Sequence, residues 1–439
     1  MRGLRGCGLC WSGCGVLGVL VLVRAASAQS VPPPAPPTPP MQMTMPMSTS
    51  MMPAAPLGLD DARNGSGTSW LPDDSPMRGV MREAGPWSLM VHGDGFLQAV
   101  ETTGARGDHE IGSVNWFMGM AEHAVAGGPL TLRGMMSLEP LTVGRCGYPD
   151  LLQTGELCLG TPLHDAQHPH NLFMEVAADY RHAMTSSLAF EVYGGPAGDP
   201  ALGPVAFPHR PSAMGSPVAP ISHHWLDSSH ISFGVVTGGV YGRRWKAEAS
   251  VFNGREPDDR RYGLERGRLD SYSGRLWWLP SSAWSLQVSA GHLKGAEATS
   301  VGPRVDVTRM TASATYHRQT LGRLWATTVA WGRNVEGGQG SSALLAETTA
   351  ETSTRDAWFA RVEVVGKTST ELAVPLPPDG VSVVSKAEAG YTRWMKQARG
   401  LTFGVGGSVG IARLPASLSA TYGGRAPGEV TVFLSVRTR

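Results

Sequence analysis

Three stretches of the chain alternate strictly between apolar and polar residues. Trp284, Leu286, Val288 and Ala290 alternate with Ser285, Gln287, Ser289 and Gly291. Met310, Ala312, Ala314 and Tyr316 alternate with Thr311, Ser313, Thr315 and His317, and Val430, Val432, Leu434 and Val436 with Thr431, Phe433, Ser435 and Arg437. A period of two puts each set on its own face of a strand. The same pattern predicts strands over 87–100, 112–122, 129–138, 171–182, 186–195, 230–241, 243–253 and 269–279. It continues over 283–293, 306–318, 322–333, 341–353, 356–366, 382–395, 400–413 and 428–437. Tight gaps (183–185, 242, 280–282, 319–321, 396–399) are interleaved with long ones (139–170, 196–229, 254–268, 367–381, 414–427).

Strands of about ten to thirteen residues exceed the five or six usual in soluble sheets and suit a tilted bilayer span. Their polar faces carry charges in mid-strand: Glu175, Asp179 and Arg181; Lys246 and Glu248; Arg361 and Glu363; Lys386 and Glu388. On a lumen wall such groups stay hydrated or pair across strands while their neighbours face lipid. The expected fold is therefore all-β: a transmembrane antiparallel meander β-barrel of about 16 strands, closed so that no edge is left exposed. In these features the chain resembles bacterial outer-membrane β-barrels of the porin kind, which implies outer-membrane lipid as its surroundings and small solutes or metal ions as its partners. Pores of this size are often trimers, so a homo-oligomer fits the resemblance. One departure is the C-terminus, where the usual final aromatic is replaced by Arg439 and the nearest aromatic is Phe433.

The N-terminus reads as export machinery. Arg2 and Arg5 precede an apolar run over 15–23 and the small-residue site Ala26-Ser27-Ala28, which predicts a cleaved signal peptide over 1–28 and delivery to the Gram-negative outer membrane. Residues 29–86, rich in Pro and Met at first and then in Gly, Ser, Pro and Asp, are expected to form a disordered periplasmic tail, leaving 87–439 for the barrel. Loss of the leader removes Cys7, Cys10 and Cys14. Cys146 and Cys158 remain, and in an oxidising compartment they most simply form one disulfide, worth about 3 kcal/mol on the chain-entropy model; a two-thiolate metal site is the alternative. A net charge of +1 with 17% charged residues gives no footprint for nucleic acid.

Two clusters carry candidate chemistry. Six of the nineteen methionines lie within 41–52, as Met41, Met43, Met45, Met47, Met51 and Met52. Thioethers are soft donors that need no deprotonation and suit Cu(I); a low-complexity linker is the plainer alternative. An exported chain with a Met-rich head reading MQMTMPM and a β-barrel body resembles the outer-membrane copper-resistance proteins of the copper resistance B type. The likeness covers architecture and that segment, and it implies copper as the bound metal. Seven of the thirteen histidines lie in two long loops or at their edges: His164, His168, His170, His209, His223, His224 and His230. Imidazole is a common ligand for Zn, Cu and Ni, and loops of this length commonly fold into a barrel and narrow it. The segment 198–212 adds prolines, glycines and Arg210, a charge that could set local selectivity.

No H-E-x-x-H zinc-protease motif and no P-loop is present, and Ser228-Ser229-His230 are merely adjacent. The reading is a non-enzymatic pore or solute-handling barrel, with a copper-binding barrel as the alternative and an outer-membrane hydrolase behind both.

Overall fold

The computed structural model describes residues 55–297, 304–377 and 380–438. The predicted signal peptide and the Met-rich segment, with Met41, Met43, Met45, Met47, Met51 and Met52, lie outside them. The strands in chain order are β1 (Val80–Ala84), β2 (Trp87–Thr102), β3 (His109–Val125), β4 (Gly128–Met136), β5 (Tyr148–Cys158), β6 (Thr161–Gln167), β7 (Phe173–Ala183), β8 (Ala189–Ala197), β9 (Val235–Tyr241) and β10 (Trp245–Phe252). They continue with β11 (Ser271–Ser281), β12 (Trp284–Glu297), β13 (Val305–Thr320), β14 (Arg323–Glu336), β15 (Gln339–Glu351), β16 (Asp356–Thr368), β17 (Val381–Ala398), β18 (Leu401–Arg413) and β19 (Gly428–Thr438).

All strands pair antiparallel with their sequence neighbours, except that β4 pairs with β7 and the β5–β6 hairpin stands outside the main sheet. β19 pairs with β2 from Glu429↔Thr102 to Arg437↔Asp94, which closes a ring of sixteen strands. All sixteen predicted strands are present. β1 is an addition: it pairs with the start of β2 and extends the position that β19 leaves.

Burial is inverted relative to a water-soluble protein. Outward positions are apolar and exposed, as at Val409 (63%), Val432 (57%) and Leu276 (55%), whereas the inward Arg309 and Lys246 are only 1% exposed. Water would penalise such a surface by about 25 cal/mol per Å² of apolar area; hydrocarbon does not. Exposed Trp245, Trp278, Trp284, Trp325 and Trp358 all sit near the strand ends joined by short turns. They form the kind of aromatic belt that marks a membrane interface. At the other end the β14–β15 turn is short, Gly337-Gly338 with both φ positive, but most connections there are long.

Two expectations need correction. Residues 55–86, assigned to the N-terminal tail, are ordered: after two short turns (Pro56–Gly58 and Asp61–Arg63) the chain makes a bridge between Asn64 and Trp70 and then β1. Trp70, Leu71 and Arg63 are buried there. No periodicity announces this segment, because hydrogen bonds to the barrel wall hold it. The predicted strand 230–241 begins only at Val235, so His230 belongs to a short turn, Ser228–His230.

Candidate functional site: the filled interior of the barrel

The nine predicted lumen charges are all buried and paired. Arg181 lies 3.0 Å from Glu122 and 3.4 Å from Asp179, and Arg133 is 3.7 Å from Glu175. Lys246 meets Glu191 at 2.9 Å and Glu248 at 3.5 Å. Arg361 meets Glu388 at 2.8 Å and Glu363 at 3.3 Å, while Lys386 reaches Asp150 at 2.6 Å and Glu429 at 2.8 Å. A buried charge without such a partner is costly, so this wall is self-neutralising.

Two segments pack against the wall from opposite ends. The N-terminal segment comes from the Trp-belt end, where Leu57, Trp70 and Leu71 pack with Ala189, Tyr241 and Leu279. Lys246 and Arg275 donate to Thr68, Arg133 to the Gly67 carbonyl (2.6 Å), and Ser285 to the Trp70 carbonyl (3.0 Å). The connection between β8 and β9 comes from the long-loop end. Its Ser212 donates to Thr328 of β14 (2.8 Å), its Ser222 to Glu363 of β16 (2.6 Å) and its Ser216 to Glu388 of β17 (2.7 Å). In a ring of sixteen, β17 is eight strands from β9. The two segments touch where Ala206 N donates to Ser66 Oγ (2.9 Å). Gly67 makes the approach possible: its φ is +52°, and a Cβ there would lie 2.7 Å from the Asp199 carbonyl oxygen.

Arg210, a charge expected to be able to set local selectivity, is instead paired inside the protein. It is 1% exposed, donates to Asp227 (2.7 Å), the Val205 carbonyl (2.7 Å) and Glu347 of β15, and so fastens the loop to the wall. The β5–β6 hairpin, which the sequence left as loop, carries the disulfide Cys146–Cys158 with Cα atoms 5.6 Å apart. Its Gln153 donates to the Pro220 carbonyl at 3.0 Å, and Lys367 of β16 donates to its Thr154 at 2.8 Å.

These packings bring five of the seven loop histidines together. Ring centroids are 6.0 Å apart for His168 and His224, 5.3 Å for His223 and His224, 5.3 Å for His223 and His230, and 5.4 Å for His170 and His230. Nδ1 of His170 bonds Glu139 (2.9 Å), that of His223 bonds Asp227 (2.6 Å), that of His230 the Asp227 carbonyl (2.8 Å) and that of His168 the Pro169 carbonyl (3.3 Å). Donation from Nδ1 leaves Nε2 as the lone-pair atom, the arrangement of a metal-binding imidazole. Burial lowers the pKa of His168 and His230 well below the ordinary value, that of His223 to about 4 and that of His224 as well, so all four are neutral at pH 7. His164 stands apart, half-exposed against Asp165 (3.0 Å). His209 also lies elsewhere, 4.5 Å from the Trp116 ring and with Nε2 3.2 Å from the Met135 sulfur.

His209 borders a second feature, a cavity of 160 Å³ lined by Met77, Met81, Met90, Met118, Met120 and Met214 together with His92. Met90 and Met118 occupy the halves of β2 and β3 nearer the Trp belt. Sequence reading missed these methionines because they are spread over five separate segments, and flexible thioethers are also common core filler. It likewise missed Glu139, Glu156, Asp227, Glu256 and Glu297, the carboxylates that border the histidines. The Ser228–His230 run has no triad: Ser228 accepts from Arg309 (3.0 Å) and His230 faces a carbonyl.

A closed sixteen-strand barrel with an apolar exterior and a charged, paired interior is the architecture of outer-membrane porins. A solved structure agrees on the fold. OmpF of Salmonella typhi in complex with daunomycin aligns with a TM-score of 0.50 at 9% identity, covering 82% of this chain and 100% of that one. An anion-selective porin from Comamonas acidovorans gives 0.49 at 9% identity, covering 80% and 99%, and OprB of Pseudomonas putida 0.47 at 9%, covering 80% and 94%. No family model and no curated protein matches the sequence.

Proposed function

We propose that the protein is an outer-membrane channel for small solutes whose bore is narrowed by two inserted segments, 55–79 from the Trp-belt end and 198–234 from the other. The observation that carries this reading is the hydrogen bond from Ser216 to Glu388, which ties the β8–β9 connection to the far wall. A porin-type fold with a buried, neutralised interior supports passage of a solute that displaces one or both segments. Planar-bilayer recording tests it. The full chain should give small conductance steps, and replacing 199–231 by a short Gly-Ser turn should enlarge them several-fold. Equal steps in both would reject the narrowing, and no current in either would reject the channel.

A second reading, handling of copper or another soft metal, is favoured by the methionine-lined cavity. In it Met41 to Met52 capture Cu(I), and the cavity thioethers with His92 and His209 receive it. Purified full chain should then retain Cu(I), less after deletion of 41–52 and less again with Met90→Leu and Met118→Leu. No retained copper in the full chain ends this reading.

A further inference from the structure

At the long-loop end of the bore, three connections and one strand end bring nitrogen and oxygen donors together. His168 follows β6, His223 and His224 lie in the helical turn His223–Leu226, Glu256 follows β10, and Glu297 ends β12. Two donor sets, His168/His223/His224 and His224/Glu256/Glu297, each place one ligand atom per residue within 4.8 Å of the others, and both include His224.

The local hydrogen bonding is incomplete in a telling way. Among the described residues both nitrogens of His224 are buried without a hydrogen-bond partner, and the buried Glu256 carboxyl faces that of Glu297, a second acid. His224 is 5% exposed, and its Nδ1 stands 3.5 Å from Glu256 Oε1. His168 Nε2 faces the Glu156 carboxylate at 3.3 Å, again without a hydrogen bond. A buried polar group left without a partner is destabilising. Imidazole nitrogens and carboxyl oxygens that converge with so few hydrogen bonds formed make a natural seat for a cation. Arg261 is committed to Glu156 and Asn171, and Arg309, whose charge faces Glu256 and Glu297, donates to Asn334 and Ser228.

We infer that this cluster binds a divalent first-row transition ion, with His224 as its central ligand and donors drawn from His168, His223, Glu256 and Glu297. The spacing fits: bonds of about 2.1 Å in a tetrahedral shell put adjacent donors about 3.4 Å apart, close to the His224–Glu256 separation. The donor chemistry fits Zn(II) or Cu(II) better than Cu(I), because it is imidazole and carboxylate with no thioether in the set. Supporting groups are in place. Asp227, itself held by Arg210, orients His223. Gly155, at φ +121°, leaves room for His224, since a Cβ there would lie 2.2 Å from its Cε1.

Such an ion would join the connections 137–172, 198–234 and 253–270 to β12, so the inference rests on reading 198–234 as an inserted segment. Binding, however, is measured without current. Zn(II) is titrated calorimetrically into the folded full chain in detergent, with Co(II) absorption reporting coordination. One ion per chain is expected, with uptake lost in His224→Ala and weakened more than about tenfold in the shape-conserving Glu256→Gln. Gel mobility of unheated samples confirms that each variant holds its barrel. No stoichiometric uptake overturns the site, as does uptake that both variants leave unchanged or that only deletion of 41–52 removes. A chain that conducts as proposed yet binds no ion refutes the site alone; one that binds the ion but never conducts refutes the channel alone.

Discussion

Asp199 shows how much a single residue can report. It sits where the two inserted segments meet, 4% exposed, beside Gly67. Burial raises its pKa to about 7, against the opposing pull of Arg275 and Ser66. A folded value above the unfolded one of about 3.9 means the folded state holds the proton more tightly. This contribution to stability is complete below about pH 4 and is lost as pH rises to about 7, a change on the order of 4 kcal/mol. Asp199→Asn should therefore slow hydrogen exchange over residues 198–206 at pH 8 and leave it little changed at pH 4. Equal effects at both pH values would show that Asp199 is not the titrating group. None of this was legible in the sequence, where Asp199 is one polar residue in a Gly/Pro-rich loop. The alternating wall residues were legible, because each side chain's face follows from its parity along the strand. Lys246 and Glu248 are typical: two positions apart, on one face, and buried together.

Among the elements, the β5–β6 hairpin explains where sequence reading stopped. Its strands contain positive φ at Leu152, Gly155, Glu156 and Asp165, and its pairing shifts register twice. Each shift moves side chains to the opposite face, so no period of two survives to be read. The Cys146–Cys158 pairing was legible from cysteine count and compartment alone, and it spans β5, the first strand of this irregular hairpin. Closing that loop should contribute about 3 kcal/mol. Reduction, or Cys146→Ser with Cys158→Ser, should raise hydrogen exchange over residues 148–167 while the wall strands stay protected. Unchanged exchange in the hairpin would mean that its packing against Pro220, Lys367 and Lys386 suffices. The carboxylates Glu156 and Glu256 went unread for a related reason: they lie in irregular chain, where position carries no facial information.

At the scale of the whole molecule, strand number and the apolar exterior followed from alternation and from the interleaving of tight and long gaps. What fills the bore did not. The segment 55–79 has the Gly, Ser, Pro and Asp composition of a linker, and it becomes structure only because Arg133, Lys246, Arg275 and Ser285 offer hydrogen bonds to its backbone and to Thr68. Composition describes how a segment behaves alone, and this one is never alone. The histidine cluster was half legible: the residue types were visible, but which five would meet depended on loops folding inward across the barrel.

The meeting of two inserted segments at Ser66 and Ala206 has one more consequence. Each is rooted at a different mouth, so each answers to a different compartment. On the channel reading proposed above, withdrawing the N-terminal segment would widen the bore from the Trp-belt side, and releasing the β8–β9 connection would widen it from the other. On that reading the bore would carry two independent throttles, each adjustable from its own side of the membrane.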